Sequence, residues 1–314
     1  MTFSTKRESY AEQVNAFIAG LADIELERDA LMSKRTTYGI GGPADVLVKC
    51  ASESQLQQTL KLAEELELPL FLLGGGSNIL VGDRGVRGAV ITLVGDLSDV
   101  SIDSNGDEIV VGAGAKFPRL TRTALDLGWP SAVGWMGTPG QVGGALRMNA
   151  GTRDGEIGDV VTEVRGVTSS SVHTFSLSEC GFRYRGSEFP DNIVLTKAFL
   201  RCDNRRIDEI SSLNQTAKEL LAKRHSSQPK MRSAGSLFKN PPGDFAGRLI
   251  EAAGLKGKKI GNAQISEVHA NFFVNLGGAR AADVVGLADL AWREVRDRFG
   301  VELEWEIRRV GDFS

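Results

Sequence analysis

The chain has 314 residues, 41% hydrophobic and 25% charged, with 37 Lys and Arg against 40 Asp and Glu for a net charge of −3, an ordinary globular composition. The slight acidic excess and the lack of a basic block argue against a nucleic-acid partner, and no run of about 18 uncharged apolar residues is present to span a bilayer. Met1 to Asp29 is charged throughout and lacks the apolar stretch of a signal peptide, so the expected address is the cytoplasm; Cys50, Cys180, Cys202, His173, His225 and His269 are scattered, so neither a metal site nor a disulfide framework is expected.

The length suggests about two domains. In chain order, Ser4 to Lys34 has apolar positions at helical spacing (Val14, Phe17, Ile18, Leu21, Ile24, Leu26) and reads as amphipathic helix with a loop near its middle. Ala44 to Cys50 reads as a strand, Glu53 to Glu67 as a helix, and Pro69 to Leu73 as a short buried strand, a strand-helix-strand unit. Strands are predicted at Gly88 to Leu93, Val100 to Asp103 and Glu108 to Gly112, then a helix from Phe117 to Leu127. Strands return at Asp159 to Val167, Ser171 to Ser176 and Asn192 to Leu200. The composition shifts at Asp203-Asn204-Arg205-Arg206, which sets the expected boundary: a helical segment over 1–34, one domain over 35–203 and another over 204–314. Beyond it lie a helical run from Ile207 to His225, a helix at Phe245 to Ala253, strands at Asn262 to Ile265 and Asn271 to Leu276, a helix at Ala281 to Phe299, and a closing strand at Glu302 to Val310.

Glycine supplies 37 residues, about 12% against the roughly 7% expected, much of it in dense runs. Gly74-Gly75-Gly76-Ser77-Asn78 follows a strand, and consecutive residues without Cβ let backbone N–H groups converge on a phosphate or pyrophosphate; the plainer reading is a tight turn. It fits neither the Walker loop nor the Rossmann fingerprint. Gly134 to Ala145 holds five glycines and a proline in twelve residues, too broken for a plain helix or strand. It either brings backbone close to a ligand, with Gly143-Gly144 opening a short helix toward an anion, or is a long structural loop. In Phe182-Arg183-Tyr184-Arg185-Gly186-Ser187 a strand would put Arg183 and Arg185 on one face, either solvated or turned to a substrate carboxylate. Ser233 to Pro242 sets Ser236, Lys239 and Asn240 on an irregular loop without the G-x-S-x-G elbow, so hydrolase chemistry fits poorly. Ser236 is either a proton donor or a capping serine. Glu302, Glu304 and Glu306 alternate and would share a strand face, and His269 reads as a structural histidine.

Together these runs resemble one family, the flavin-dependent UDP-N-acetylenolpyruvoylglucosamine reductases (MurB) of peptidoglycan synthesis, in the shorter subclass without the extra tyrosine loop. The resemblance is carried by Thr37 to Ala44, Gly74 to Leu80, Gly137 to Gly151, Tyr184 to Ser187, Ala234 to Pro241, Ser266 to Asn275 and Phe299 to Gly311. It departs at Thr138 and Gln141, where the family has an aliphatic and a small hydroxyl residue, and at the short, charged continuation through Thr152-Arg153.

The resemblance implies an α+β architecture: a vanillyl-alcohol-oxidase (PCMH) type FAD-binding domain of two α+β subdomains over 35–203 and a smaller C-terminal α+β substrate domain over 204–314. It implies noncovalent FAD held by Gly74, Gly75, Gly76, Ser77, Asn78, Gly137, Thr138, Pro139, Gly140, Gly143 and Gly144, with NADPH as reductant. The substrate implied is UDP-N-acetylglucosamine enolpyruvate, which accepts hydride at the terminal carbon of its vinyl ether. The family's arginine maps onto Arg185, which would stabilise the charge developing on the carboxylate, its glutamate onto Glu306, and its serine, the proton donor to the adjacent carbon, onto Ser236. Tyr184, Arg224, Lys239 and Asn240 are further substrate-binding candidates, and a monomer is expected. A non-catalytic flavoprotein or UDP-sugar sensor on the same fold is the alternative from another class; an FAD oxidase using oxygen is a third reading, which leaves the Ala234 to Pro241 match unexplained.

Overall fold

The computed structural model describes residues 3–152 and 154–314, with side chains from Tyr10 onward. Met1, Thr2 and Arg153 lie outside the described residues, and with them the start of the expected N-terminal segment and the arginine of the Thr152-Arg153 departure. Two compact units emerge, neither contiguous in sequence: Met1–Arg28, Val46–Gly75 and Gly88–Leu221 form the first, and Asp29–Asp45, Gly76–Arg87 and Ala222–Ser314 the second. The architecture is α+β, as expected.

The chain opens with α1 (Phe3–Gly20), β1 (Glu25–Leu31), β2 (Pro43–Cys50), α2 (Glu53–Glu65) and β3 (Leu70–Leu72). The helix expected over Ser4 to Lys34 therefore ends at Gly20 and its second half is largely strand. In β1 only Ala30 is buried and the charged residues face outward, which suits the edge of the four-stranded sheet β1-β2 followed by Val86–Leu93 and β3. The strand-helix-strand unit is present, and Ser52 caps α2 by accepting the Gln55 N–H at 3.2 Å. The second strand of the unit is another sheet edge, however, so Leu70 and Leu72 are exposed rather than buried.

There follow β4 (Ile79–Val81), β5 (Val86–Leu93), β6 (Val100–Ile102), β7 (Glu108–Gly112), α3 (Phe117–Asp126), α4 (Ala132–Trp135), α5 (Val142–Arg147), β8 (Gly151–Thr152), β9 (Gly155–Glu156), β10 (Val161–Val167), β11 (Val172–Ser176), α6 (Leu177–Cys180), β12 (Val194–Arg201) and α7 (Ile210–Ser227). An antiparallel five-stranded sheet runs β11-β10-β12-β7-β6. Helix α2 is tied to it by a fork: Arg165 of β10 donates to both Glu53 carboxylate oxygens at 2.9 and 2.7 Å, and the Thr196 hydroxyl of β12 donates to one of them at 2.6 Å. Gln57 adds bonds to the carbonyls of Thr168 and Ser171 in the β10–β11 turn. Burial alone would raise the Glu53 pKa; the Arg165 and Thr196 hydrogen bonds and the Arg165 charge outweigh it and hold the carboxyl below its ordinary 4.5.

The second unit is completed by α8 (Ala246–Ala252), β13 (Lys259–Ile260), β14 (Ala263–Ile265), β15 (Phe273–Asn275), α9 (Ala281–Phe299) and β16 (Arg308–Val310). Its core gathers Tyr38, Ile40, Leu80, Leu237, Phe238, Leu249, Phe273 and Val284. Asp83 tethers the 76–87 excursion to α9 by accepting the Ala281 and Ala282 N–H groups at 2.8 and 3.1 Å, the site an anion favours on a helix. The strand expected from Glu302 to Val310 is reduced to β16, which pairs in parallel with β4. Upstream, Leu303 and Ile307 are buried and Trp305 between them packs half-buried against the same core, so the alternation persists without a regular strand. The three glutamates occupy the alternate positions, where Glu302 and Glu304 are exposed and Glu306 is half-buried.

Two stability predictions follow from these contacts. Glu53→Gln removes a charge-assisted fork and is expected to cost about 1–2 kcal/mol, read as a lower denaturant midpoint. Because the folded pKa is depressed, Glu53 contributes stability above the unfolded carboxyl pKa and loses it as pH falls through the folded value, so the gap between parent and mutant should close in acid. The Tyr38 hydroxyl is buried without a hydrogen-bond partner among the described residues, and burial pushes its pKa up. Tyr38→Phe relieves that desolvation, so its melting temperature should equal or exceed the parent's.

Candidate active site

In the first unit the two glycine-rich runs meet backbone to backbone. A Cβ on Gly75 would lie 2.5 Å from Gly140 Cα and 3.2 Å from the Gln141 nitrogen, so no other residue fits without displacing the chain. Gly137 and Gly140 have φ of +76° and +105°, open to glycine and strained for side-chain-bearing residues. The loop is anchored by Phe117 N–H to Gly140 O at 2.9 Å and by a bridge between Gln141 and Lys116.

The short helix expected at Gly143-Gly144 forms one residue earlier, as α5. The Val142 and Gly143 N–H groups donate to the carbonyls of Ala115 and Ala113 at 2.9 and 2.8 Å, so they do not face an anion. Gly144 is exposed, and a Cβ there would meet nothing within 4 Å. Neither Gly74 to Asn78 nor Gly137 to Gly144 contains an acidic residue, and Lys116 stands beside the second run. Nearby, the buried Trp135 Nε1 has no hydrogen-bond partner among the described residues.

Phe182 to Ser187 is a turn, not a strand. Arg183 and Gly186 exchange both main-chain hydrogen bonds at 3.0 Å, and Arg185 sits between them at φ +54°. That left-handed conformation costs a side-chain-bearing residue about 1 kcal/mol, and it turns the two arginines away from a common face. The Arg185 guanidinium donates to Gly151 O at 3.3 Å and lies over the ring of Tyr184, which is 63% exposed.

The second unit holds the other two expected catalytic residues. The 236–239 loop runs between two neighbours, with bridges Ser236 to Phe272 and Phe238 to Trp305. Leu237 donates to Asn271 O at 2.8 Å and accepts the Glu306 N–H at 2.9 Å, so the residue next to Ser236 is hydrogen-bonded to Glu306. Both side chains are half-buried. Asn271, which sequence reasoning gave no role, clamps both polar groups of the Phe238 backbone at 3.0 and 2.7 Å. Gly76 packs against Arg35 O, and Asn78 joins this group, its amide donating to Glu306 O at 3.3 Å and its carbonyl accepting the Arg308 N–H.

The substrate candidates have local partners. Lys239 pairs with Glu304 at 2.8 Å, Asn240 accepts the Ala246 N–H at 3.1 Å at the start of α8, and Arg224 lies half-buried in the last turn of α7. His269 accepts the Asn271 N–H on Nδ1 and packs edge-on against Phe272, and burial lowers its pKa, as suits a structural histidine.

The class of protein comes first from the glycine-loop unit, where the FAD binding domain model matches residues 44–174; the model of the UDP-N-acetylenolpyruvoylglucosamine reductase C-terminal domain matches 228–310. The chain is 43% identical over 290 residues to the UDP-N-acetylenolpyruvoylglucosamine reductase of Anaeromyxobacter sp. (strain Fw109-5), covering 92% of this chain and 90% of that one. The Azorhizobium caulinodans reductase is 39% identical, with coverage of 96% and 98%. The crystal structure of the Thermus caldophilus reductase (MurB) superposes with a TM-score of 0.78 at 40% identity, covering 91% of this chain and 99% of that one. This chain belongs to the UDP-N-acetylenolpyruvoylglucosamine reductase family.

FAD fits the residues present. Its pyrophosphate needs backbone without acidic side chains beside it, which both runs provide, and the exposed Gly144, where a Cβ would meet nothing within 4 Å, would leave room for it. Two substitutions separate folding from binding. Gly75→Ala forces Cβ into the Gly140 backbone and should lower both the melting temperature and FAD affinity. Gly144→Ala meets no steric obstacle and replaces a helix glycine, so the apoprotein should keep or gain stability by up to about 1 kcal/mol. A drop in FAD affinity measured by fluorescence titration would then place cofactor on that backbone; parental affinity would remove Gly144 from the site.

Proposed function

We propose that the chain reduces UDP-N-acetylglucosamine enolpyruvate to UDP-N-acetylmuramate with NADPH, an FAD-dependent step of peptidoglycan precursor synthesis. The observation that carries the reading is the 43% identity to a reductase over 92% of the chain. Bound FAD supplies hydride transfer, which no side chain can perform.

The protein's own residues handle charge and protons. In this proposal the Arg185 guanidinium forks onto the substrate carboxylate and stabilises the charge that builds there as the vinyl ether is reduced. The Ser236 hydroxyl delivers a proton to the carbon next to that carboxylate, and Glu306 orients or assists this transfer. The Leu237–Glu306 bond supports the pairing, since it holds Ser236 and Glu306 on neighbouring backbone. Tyr184, Lys239, Asn240 and Arg224 complete the substrate side; Lys239 would exchange Glu304 for a substrate anion. Cofactor binding within 35–203 and substrate binding within 204–314 belong to the same proposal, and the two family models fall inside those ranges. So do a monomeric state and a cytoplasmic address; among the described residues no helix is long and apolar enough to cross a membrane.

Anaerobic stopped-flow tests the reading. NADPH should bleach the flavin absorbance and the enolpyruvyl nucleotide should restore it; a protein that takes up no FAD, or whose colour the nucleotide does not restore, overturns it. Ser236→Ala should leave bleaching nearly intact and slow the return by at least about 10²-fold. Arg185→Lys should slow it as well, because a point charge cannot reproduce a planar fork, and Glu306→Gln should depress kcat more than it raises KM. Parental kcat in any of these variants removes that residue from the chemistry.

A further inference from the structure

We propose that Arg147 and Asn149 are positioning residues that fasten the Arg185 turn to the backbone leaving the second glycine run; this rests on the role proposed above for Arg185. Arg147 is the last residue of α5, which begins two residues beyond Gly140. Its guanidinium gathers three carbonyls downstream of the turn: Phe189 O at 2.9 Å, Pro190 O at 3.0 Å and Ile193 O at 2.5 Å. Its own carbonyl accepts the Ser187 hydroxyl at 3.0 Å. That bond satisfies one of the carbonyls a helix end leaves open.

Asn149 works on the upstream side. It is 4% exposed with φ +43°, and its amide nitrogen donates to Glu156 at 2.6 Å and to Arg183 O at 3.5 Å, while its side-chain oxygen accepts the Gly158 N–H at 3.0 Å. Gly151, two residues on, supplies the carbonyl that receives Arg185 itself. Residues 147–151 therefore contact the turn before, at and after Arg185 from a single stretch of backbone: the Asn149 amide on Arg183, the Gly151 carbonyl on Arg185 and the Arg147 carbonyl on Ser187, with the Arg147 guanidinium holding the segment beyond.

The arrangement has a mechanical consequence. The exposed turn has no helix or sheet ladder of its own beyond the Arg183–Gly186 pair, and a left-handed Arg185 relaxes when its surroundings stop over-determining it. Arg147 is suited to the task because its five N–H donors are spread over a rigid planar fork that can reach several carbonyls in fixed directions, whereas a lysine's three donors sit on one nitrogen. The same stretch continues the run proposed to hold FAD, so the clamp sets the arginine's place relative to that backbone. A misplacement of about 1 Å is enough to cost on the order of 10²-fold in rate.

The test uses the FAD-loaded protein and four variants: Arg147→Met, Ser187→Ala, Arg185→Ala and the Arg147→Met/Arg185→Ala double mutant. Arg147→Met should keep parental flavin content and bleaching by NADPH, yet slow reoxidation by the enolpyruvyl nucleotide at least about tenfold and raise its KM. Trypsin should cut after Arg183 and Arg185 faster than in the parent. Against an Arg185→Ala background the same substitution should add almost nothing, because two residues acting through one group are not additive. Ser187→Ala, which removes a single tie and no core contact, should show the same pattern more weakly and stands in if Arg147→Met does not fold.

Parental reoxidation in Arg147→Met, or in Ser187→Ala where it stands in, while Arg185→Ala is slow, overturns the clamp alone. Equal slowing in both Arg185 backgrounds, or slowing of bleaching as much as reoxidation, marks a general structural role and overturns it too. Parental reoxidation in Arg185→Ala overturns the role of Arg185, and the clamp falls with it.

Discussion

Two backbones approach at Gly75 and Gly140 more closely than any side chain permits, and the first unit is arranged around that approach. The run with Gly75 is delivered by the β2–α2–β3 unit, and the run with Gly140 by the loop between α4 and α5, anchored through Phe117 and Lys116. Each depends on a sheet, one on the β1-β2-β5-β3 sheet and the other on β7 and β12. The contact therefore requires that the two sheets be held in register. The Glu53–Arg165–Thr196 fork does this, joining α2 of one to β10 and β12 of the other. Most of the remaining ion pairs are exposed partners worth a fraction of a kcal/mol. The Glu53 carboxylate, 25% exposed and bonded by three donors, is of a different kind.

Much of this was legible from sequence where one physical signal acts alone. Helix α9 reads correctly from Ala281 to Phe299 because its buried positions follow a helical stripe and Gly300 ends it at φ +67°. Strands β10, β11 and β12 read correctly because their turns carry Ser, Asn and Asp. The glycine runs stood out because nothing but glycine tolerates such approach. The readings failed where tertiary context overrode local pattern. In β1 the abundance of Glu, Arg and Asp imitates a solvated helix, but an edge strand tolerates the same charges, and nothing in those seven residues states which. Between Glu302 and Ile307 the alternation is present, with Leu303, Trp305 and Ile307 on the core, yet the segment pairs with the 237–239 loop through the single Phe238–Trp305 bridge and forms no regular strand.

The candidate site shows the same division. Ser236, Glu306 and Arg185 were visible through a family resemblance, not through their own spacing, because they come from separate segments. Their settings were not visible. A left-handed Arg185 leaves no trace in Tyr-Arg-Gly-Ser beyond the neighbouring glycine. Asn271, whose side chain replaces a sheet partner for Phe238, looks like any loop asparagine. Arg147 carries no motif, since its partners are carbonyls, which every residue possesses.

These settings share a design: side chains that work on substrate are placed by backbone held from elsewhere. Ser236 rides on a loop bridged on both sides, to Phe272 and, through Leu237, to Glu306. Arg185 rides on a turn held by Arg147, Asn149 and Gly151. Ser236 is fixed through main-chain bonds, whereas Arg185 is fixed both by the backbone of its turn and by its own guanidinium on Gly151 O. Those groups stay half-buried, and Arg185 must exchange Gly151 O for the carboxylate it is proposed to bind. For Ser236, rigidity and availability are thus assigned to different atoms of the same segment; Arg185 is placed by its turn and released to a charge only as that charge develops.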